Sequence, residues 1–337
     1  MDGGLRMKAV FATGAGPAAI ENAYDQRTRA ELAQCLEFVD GWYDPRELGA
    51  PRLREVEILF STWGMFELEE AKIREHLPKL QAIFYAAGSV QYFARPYLAC
   101  GVRIFSAWAA NGVPVAEFTL AQILLANKGY FQAARRYKAE GFAPGRDYAE
   151  GLDGNYGATV GVIGAGMIGR MVIGMLKRYD LRVLVCDPFL SAEQAQGLGA
   201  EQATLERIFT ESQTITNHVA NNEKTRGMLD YRLFSRMRPN ATFINTGRGA
   251  QVVEADLARA LREEPRRTAL LDVTDPEPLE PDSPFAGLDN VWISPHIAGS
   301  MSGEVARMGR YMAEAFRELG EERGRYEVTE AMLETMA

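Results

Sequence analysis

A short apolar run, followed at once by three regularly spaced glycines, constrains this chain more than any other feature. The run VGVI ends at Ile163, and Gly164, Gly166 and Gly169 follow in the spacing G-x-G-x-x-G. Apolar residues then recur at helical spacing, so the glycines are predicted to form a turn between a strand and a helix. Such a turn is typical of a βαβ unit in a parallel sheet.

The three glycines have separate physical functions in a turn of this kind. The first permits the tight turn, the second allows the backbone to approach a pyrophosphate, and the third allows the helix to pack close to the strand. The helix N-terminus presents unpaired N–H groups and a partial positive charge to the phosphates. The pattern therefore predicts a dinucleotide site; the alternative is a purely structural turn.

An aspartate 18 residues after the last glycine narrows the choice of dinucleotide. The strand-like run LRVLVCD ends at Asp187, where a carboxylate can accept hydrogen bonds from the adenosine ribose hydroxyls. The next residues are Pro188, Phe189 and Leu190, with no arginine beside them to bind a 2′-phosphate. The sequence therefore predicts NAD rather than NADP.

The distribution of apolar runs predicts an α/β fold with two doubly wound parallel sheets. Six candidate strands are enough for a complete dinucleotide-binding sheet; they are 158–164, 181–187, 214–218, 241–245, 268–272 and 290–294. Four earlier runs are predicted to form strands of another sheet: 8–12, 57–62, 82–87 and 102–106. Helices are expected between them, including one over 67–76 and a long one from Val115.

The length of 337 residues exceeds what one hydrophobic core usually serves, so two domains are expected. An amphipathic helix over 302–319 follows the last strand and can return to the first sheet. Its apolar face is formed by Met308, Met312, Ala315, Phe316 and Leu319. We therefore expect a discontinuous substrate domain, 1–114 plus 300–337, and an inserted Rossmann dinucleotide-binding domain, 115–299.

The segment 135–155 departs from this pattern because it is rich in glycine and mixed charges. It contains Gly141, Pro144, Gly145, Gly151 and Gly154. The composition is compatible with a linker, with an arm that embraces a second subunit of a homodimer, or with a surface loop.

Charge and cysteine content argue against several functions. The net charge of −8 disfavours nucleic acid as a partner. Cys35, Cys100 and Cys186 form no C-x-x-C pair, so we expect no metal knuckle or disulfide framework, and a reducing, cytoplasmic compartment fits. Charges interrupt the apolar stretches short of about 18 residues, and no signal peptide is visible, so no membrane association is expected.

Three histidines are candidates for a proton donor that works near neutral pH. His76 lies at a charged helix end and is expected on the surface. His218 ends a predicted strand and is expected to be structural, or near the cofactor through its backbone. His296, in SPHIAGS, follows the last strand of the second series, where sheets of this kind place their ligands.

Four segments, in this order, resemble the D-isomer-specific 2-hydroxyacid dehydrogenases. They are GAGMIG with Asp187, NTGRGAQVVE with Arg248, LDVTDPEPL with Glu277, and SPHIAG with His296. The segment ANGVPVAEFTLA also resembles the hinge helix of that family. The resemblance implies a Rossmann NAD domain inserted into a flavodoxin-like substrate domain, and hydride transfer between NAD(H) and a small 2-hydroxy or 2-keto acid.

The resemblance also implies the roles of individual residues. His296 exchanges a proton with the substrate oxygen, Glu277 holds the imidazole and favours its charged form, and Arg248 binds the substrate carboxylate. Backbone N–H groups near Gly88 and Ser89 would complete the carboxylate site. Further contacts to NAD are implied for Met167, Ile168, Val219, Ala220, Thr225, Thr246 and Asp272.

Departures from the family pattern leave the substrate open. Val90 stands where an aspartate is frequent, Ala220 replaces a usual proline, and Thr274 replaces a common aromatic residue. Glyoxylate, hydroxypyruvate, a phosphorylated acid and a sugar-derived keto acid all fit, although no loop resembles a phosphate cradle. An NADH-sensing corepressor or a binding-only Rossmann protein remain alternatives, whereas Glu277 argues against a formate dehydrogenase, which needs a glutamine there.

Overall fold

The structure is a computed structural model that describes residues 6–321 and 324–334. The chain divides into two compact units, one formed by residues 1–112 and 300–337 and the other by residues 113–299. The domains expected from the sequence are 1–114 plus 300–337, and 115–299. That each of them folds as an independent domain remains a prediction.

The described residues form 13 strands and 13 α-helices. The strands are β1 Lys8–Phe11, β2 Glu37–Phe38, β3 Ile58–Ser61, β4 Ala82–Tyr85, β5 Arg103–Ser106, β6 Thr159–Ile163, β7 Arg182–Cys186, β8 Glu201–Gln202, β9 Thr214–Asn217, β10 Thr242–Asn245, β11 Thr268–Leu271, β12 Val291–Ile293 and β13 Glu327–Val328. The helices are α1 Pro17–Ala23, α2 Gln26–Ala33, α3 Glu70–His76, α4 Ala94–Ala99, α5 Trp108–Asn127, α6 Tyr130–Glu140, α7 Phe142–Glu150, α8 Met167–Leu176, α9 Ala192–Leu198, α10 Leu205–Glu211, α11 Tyr231–Phe234, α12 Glu254–Glu263 and α13 Val305–Arg317. Short 3₁₀ turns cover Pro45–Glu47, Pro51–Glu55, Gly249–Gln251, Ser302–Glu304 and Glu330–Glu334.

The first unit contains a six-stranded sheet in the order β13-β5-β4-β3-β1-β2. Its five parallel strands have the flavodoxin-like order 2-1-3-4-5. The edge strand β13 is antiparallel to β5, so the sheet is mixed rather than purely parallel. Helix α13 packs on this unit, where Met308, Met312 and Ala315 are buried as predicted.

The second unit contains a seven-stranded parallel sheet in the order β12-β11-β10-β9-β6-β7-β8. Counted within the unit this is 3-2-1-4-5-6-7, the Rossmann order with one further strand. The order reverses between β6 and β9, which makes the carboxyl ends of these two strands the place where such sheets bind ligands. The predicted fold of two doubly wound sheets is therefore confirmed.

The segment 135–155 is mostly helical, which corrects the expectation of a linker or loop. Helices α6 and α7 form a hairpin around Gly141, whose φ of 95° suits glycine. A Cβ on Gly145 would lie 2.8 Å from Ala133 O, so this glycine allows the two helices to cross closely. Pro144 lies in the first turn of α7, where its missing N–H loses no helical hydrogen bond. The residues that suggested a loop therefore serve as helix ends and a helix crossing.

Helix α5 begins at Trp108, seven residues before the predicted start, with Pro114 inside it. By length and composition alone it is apolar enough to cross a membrane. The sequence analysis missed this because Glu117, its one charged residue, divides it into two shorter apolar stretches. Of its most apolar stretch, 44% is buried within the protein. Ala110, Ala116 and Ile123 are core residues, as in an internal helix of a globular protein.

Candidate active site

The glycine turn lies between β6 and α8, and each of its glycines has a different environment. Gly164 has a φ of 90°, and a Cβ there would lie 2.8 Å from the backbone of His218. A Cβ on Gly169 would lie 2.0 Å from Gly164 O. A Cβ on Gly166 would meet no atom within 4 Å. The first and third glycines are thus required by the fold, whereas the second leaves open space over the N-terminus of α8.

This open space, beside a helix N-terminus that has no side-chain cap, fits the pyrophosphate of a dinucleotide. Replacing Gly166 with alanine should preserve the melting temperature, because its φ of −66° suits any residue. The added methyl group should weaken NADH binding by about tenfold or more, since it occupies the space that the second glycine leaves for phosphate. Fluorescence titration with NADH measures this change.

Two matched glycine variants complete this test. Gly174→Ala, in the same helix and with no atom within 4 Å of the new Cβ, should leave NADH affinity unchanged. Gly169→Ala should lower the melting temperature because its Cβ collides with Gly164 O. Unchanged NADH affinity in Gly166→Ala would contradict the assignment of the turn.

Asp187 ends β7, and its carboxylate is tied to the glycine turn. Asp187 Oδ2 accepts a hydrogen bond from Ala165 N at 2.7 Å, and Oδ1 accepts one from Phe189 N at 2.8 Å. Arg170 Nε donates to Ala165 O at 2.7 Å, so α8 is also tied to the glycine turn. Asp187 therefore holds the glycine turn through Ala165 N, and the ribose contact predicted for it stays a prediction.

His218 directly follows β9 and packs behind the glycine turn. Its Nε2 lies 3.0 Å from Thr216 Oγ1, while its buried Nδ1 has no hydrogen-bond partner in the described part of the chain. Burial lowers the pKa of the His218 imidazole to about 4. His218 is therefore neutral near pH 7, as expected of a structural residue.

The low pKa of His218 predicts an acid-sensitive fold. The unfolded imidazole has the ordinary pKa of 6.5, so as pH falls the unfolded state takes up the proton first. The His218 contribution to stability is complete above pH 6.5 and is lost toward pH 4. Between pH 8 and pH 5 this should lower the free energy of unfolding by up to about 2 kcal/mol.

Urea titrations of the wild type and of His218→Gln at both pH values measure this loss as the difference between the two proteins. Contributions from other titrating groups cancel in that difference. An equal pH dependence in the two proteins would show that His218 does not carry the effect.

His296 and Glu277 form the most direct side-chain pair among the predicted catalytic residues. His296 Nδ1 lies 2.8 Å from Glu277 Oε1, and both side chains are about half exposed. His296 follows β12 and Glu277 follows β11, and these strands are parallel neighbours. Because the carboxylate occupies Nδ1, the other ring nitrogen, Nε2, is the one available to a ligand.

His296 has a φ of 53°, an unusual conformation for a residue other than glycine, and Asp272 holds the loop that contains it. Asp272 Oδ1 accepts from Ser294 Oγ at 2.5 Å and from Ile297 N at 2.9 Å. Asp272 Oδ2 accepts from Ala298 N at 2.8 Å, and Asp272 O accepts from His296 N at 3.0 Å. The buried Asp272 carboxylate therefore fixes the backbone on both sides of the histidine.

Arg248 follows β10 and is half-buried. Its Nη1 donates to Gly247 O at 2.8 Å. Burial lowers the pKa of the Arg248 guanidinium below its usual value, and the charge of Glu277 opposes that shift. The next residue, Gly249, touches the loop that leads to Glu277: a Cβ there would lie 2.0 Å from the carbonyl carbon of Thr274. This close approach places the arginine loop against the glutamate loop.

The other predicted contact residues lie at the carboxyl ends of strands or next to the turn. Val219 and Ala220 follow β9 and are half-buried. Thr225 Oγ1 donates to Ala220 O at 2.6 Å, whereas the buried Thr246 hydroxyl lies 3.1 Å from Thr119 Oγ1. Met167 and Ile168 are the first two residues of α8.

Gly88 and Ser89, the predicted substrate contacts, belong to the first unit. They follow β4 and are partly exposed. Gly88 O accepts a hydrogen bond from Ser106 Oγ at 2.5 Å, which ties this loop to the end of β5.

The sequence analysis missed a cluster of buried amide side chains next to Arg248. Asn217, Asn245 and Gln251 are each at most 1% exposed. Asn217 Nδ2 donates to Asn245 Oδ1 at 3.1 Å. The strands TITN and TFIN both end in asparagine, although their other residues are apolar or β-branched. This repeated asparagine was the sequence signal that could have revealed the amide cluster.

No group of three or more His, Cys, Asp or Glu side chains that could hold a metal ion occurs in the described residues. The fold and the site together define a dinucleotide-binding α/β protein with a histidine–carboxylate pair and an arginine at the carboxyl ends of three neighbouring strands. Comparison with known proteins agrees with this class. The sequence model described as "D-isomer specific 2-hydroxyacid dehydrogenase, NAD binding domain" matches residues 120–298.

The chain belongs to the D-isomer specific 2-hydroxyacid dehydrogenase family, and the cofactor of its matched domain is NAD. It is 30% identical to a glyoxylate reductase of Korarchaeum cryptofilum, over 73% of this chain and 74% of that protein. It is 34% identical to a D-3-phosphoglycerate dehydrogenase of Archaeoglobus fulgidus, over 64% of this chain but only 40% of that longer relative. The crystal structure of a phosphoglycerate oxidoreductase from Rhizobium etli has the same fold, with a TM-score of 0.78 at 22% identity, covering 97% of this chain and 100% of that one.

Proposed function

We propose that this protein is an NAD-dependent dehydrogenase that interconverts a small 2-keto acid and the corresponding D-2-hydroxy acid. The observation that carries the proposal is the 2.8 Å contact between His296 Nδ1 and Glu277 Oε1, with Arg248 on the neighbouring strand end. A binding-only Rossmann protein has no need for a proton donor and a guanidinium at the ligand edge of its sheet.

The pair supplies and removes a proton at the substrate oxygen. Glu277 accepts a hydrogen bond from Nδ1–H of His296, which leaves Nε2 to give a proton to the carbonyl oxygen in reduction and to take one from the hydroxyl in oxidation. Asp272 holds the histidine loop in its unusual conformation, so the donor does not have to be ordered when the substrate arrives.

Arg248 is suited to the substrate carboxylate. Its guanidinium has several N–H donors in a fixed fork, and one of them, on Nη1, donates to Gly247 O within the described part of the chain. Partial burial strengthens its attraction to an anion, because fewer waters compete for the donors. The backbone N–H groups near Gly88 and Ser89, in the first unit, remain predicted contacts to a substrate carboxylate.

The residues around the glycine turn fit NAD. Gly164, Gly166, Met167, Ile168 and Gly169 would lie along the pyrophosphate, and Asp187 would accept from the adenosine ribose. The contacts nearer the nicotinamide would come from Val219, Ala220, Thr225, Thr246 and Asp272. When bound, NADH supplies the hydride.

The ligand edge of the first unit favours an unphosphorylated acid. The loops that follow β1, β3 and β4, residues 12–16, 62–69 and 86–93, contain no lysine or arginine to neutralise a phosphate. They instead expose two aromatic side chains, Trp63 and Tyr92, each 43% accessible. Thr13 Oγ1 donates to Trp63 O at 2.5 Å and fixes the backbone of that tryptophan.

The rate of NADH oxidation across a panel of 2-keto acids tests the function. We expect glyoxylate, hydroxypyruvate or an acid with an apolar side chain to exceed 3-phosphohydroxypyruvate in kcat/KM by at least about tenfold. Preference for the phosphorylated acid would overturn the substrate class, and absence of oxidation with every acid would overturn the enzymatic function.

We further propose a cytoplasmic homodimer. The three cysteines are free, which fits a reducing compartment. The hairpin of α6 and α7, within the predicted arm 135–155, exposes Tyr137 and Phe142 at 59% and 68%. Large exposed aromatic side chains are typical of interfaces between subunits. Sedimentation equilibrium tests the subunit number.

A further inference from the structure

Gln251 lies at the centre of the buried amide cluster and is fully inaccessible to solvent. Its Oε1 accepts from Asn217 Nδ2 at 2.5 Å and from Arg248 N at 3.3 Å. Its Nε2 donates to Val219 O at 2.8 Å and to Ala220 O at 3.1 Å. One side chain thus bonds the backbone of the predicted carboxylate-binding residue and the loop predicted to face the nicotinamide.

The neighbouring amide side chain, Asn245, also binds the backbone of Arg248. Asn245 Nδ2 donates to Arg248 O at 3.0 Å, and Asn245 Oδ1 accepts from Gly247 N at 3.1 Å. The backbone N–H and C=O of Arg248 are therefore both bound by buried side chains, Gln251 and Asn245. Any rearrangement of these two amides therefore acts directly on the backbone that carries the guanidinium.

We infer that Gln251 is a positioning residue that couples the 219–220 loop to Arg248, so that occupation of the cofactor site orders the carboxylate site. This inference rests on the proposed function, which assigns those two segments to the cofactor and the substrate. Only an amide side chain can make this connection. Its two N–H groups can donate to Val219 O and Ala220 O, while its oxygen accepts from Arg248 N. An apolar side chain of the same size would leave Val219 O and Arg248 N unpaired and would leave Ala220 O with its hydrogen bond from Thr225 Oγ1 alone.

The variant Gln251→Met, compared with Gln213→Met, tests the role. Gln213 is also buried, and its Nε2 donates to a backbone carbonyl, Asn240 O, at 2.7 Å. It precedes β9, so it lies at the amino end of that strand, away from the proposed site at the carboxyl ends. Both variants should lose melting temperature to a similar degree. Only Gln251→Met should raise KM for the keto acid, by about tenfold, with a smaller change in the Kd for NADH.

Gln251→Glu separates the two halves of the contact. It keeps the acceptor for Arg248 N but loses the donor to the 219–220 loop, so we expect it to remain impaired. Equal KM values in the wild type and Gln251→Met, or an equal increase in Gln213→Met, would show that Gln251 merely supports the fold.

Hydrogen–deuterium exchange of the wild-type protein tests the coupling without catalysis. NADH alone should slow amide exchange in residues 216–226 and also in residues 245–252, and the second effect should disappear in Gln251→Met. Protection confined to 216–226 in the wild type would overturn the inference even if the enzyme were active. If NADH protected both segments but no keto acid were reduced, the coupling would stand and the proposed reaction would fail.

Discussion

Replacing His296 with alanine should lower kcat by about 10²–10⁴-fold while NADH still binds with wild-type affinity. The imidazole is the only group in the described residues that pairs with Glu277 and follows β12 at the ligand edge of the sheet. Its removal takes away the proton donor but leaves the glycine turn and Asp187 untouched. Stopped-flow reduction of the best keto acid measures kcat, and fluorescence titration measures NADH affinity.

His76 supplies the matched control for this experiment. It ends α3 in the first unit, and the ion pair it forms among the described residues is with the exposed Glu75, 3.6 Å away. His76→Ala should leave kcat unchanged. A loss of NADH binding in His296→Ala, or a fall in kcat of less than about tenfold, would be incompatible with a role in proton transfer.

The glycine turn and its strands could be predicted from the sequence because their signals are local. The run VGVI and the spacing of Gly164, Gly166 and Gly169 depend only on the requirements of one turn, and the family comparison confirms the fold they indicate. The ten predicted strands all exist, with ends that differ by at most two residues. Buried parallel strands are continuous apolar runs, which is the strongest strand signal in a sequence.

Three short strands could not be predicted, because two residues carry no periodicity. Strands β2, β8 and β13 contain the pairs Glu37–Phe38, Glu201–Gln202 and Glu327–Val328. They lie at sheet edges, and pairing with a neighbouring strand rather than local composition determines them. Long-range pairing of this kind has no signature within a window of the sequence.

The hydrogen bonds around the predicted catalytic residues could not be predicted from sequence motifs either. Motif resemblance pointed to Arg248 and His296, but the side chains that fix them, Gln251 and Asp272, act over separations of 3 to 32 residues. Asp272 was predicted to touch NAD; in the structure its carboxylate accepts three hydrogen bonds from the histidine loop. Its contribution to the site is therefore at least partly the support of His296.

Replacing Arg248 with lysine should lower kcat/KM for the keto acid by about a hundredfold, although the positive charge is retained. A carboxylate binds a guanidinium through two parallel N–H···O bonds, whereas an ammonium offers a point charge on a different stem. Loss of one charge-assisted hydrogen bond costs about 1.5–3 kcal/mol, which corresponds to about 10- to 150-fold. The defect should appear mainly as a higher KM, with the Kd for NADH unchanged.

Arg226→Lys is the matched control, because it makes the same change from guanidinium to ammonium at an arginine outside the proposed carboxylate site. It is exposed, and its Nη2 lies 3.4 Å from Asp275 Oδ2, on the loop that leads to Glu277. An exposed ion pair of this kind contributes little, so Arg226→Lys should retain wild-type KM and kcat. If Arg248→Lys kept a wild-type KM as well, the carboxylate would have to bind elsewhere, because a forked donor set and a point charge cannot hold the same anion equally well.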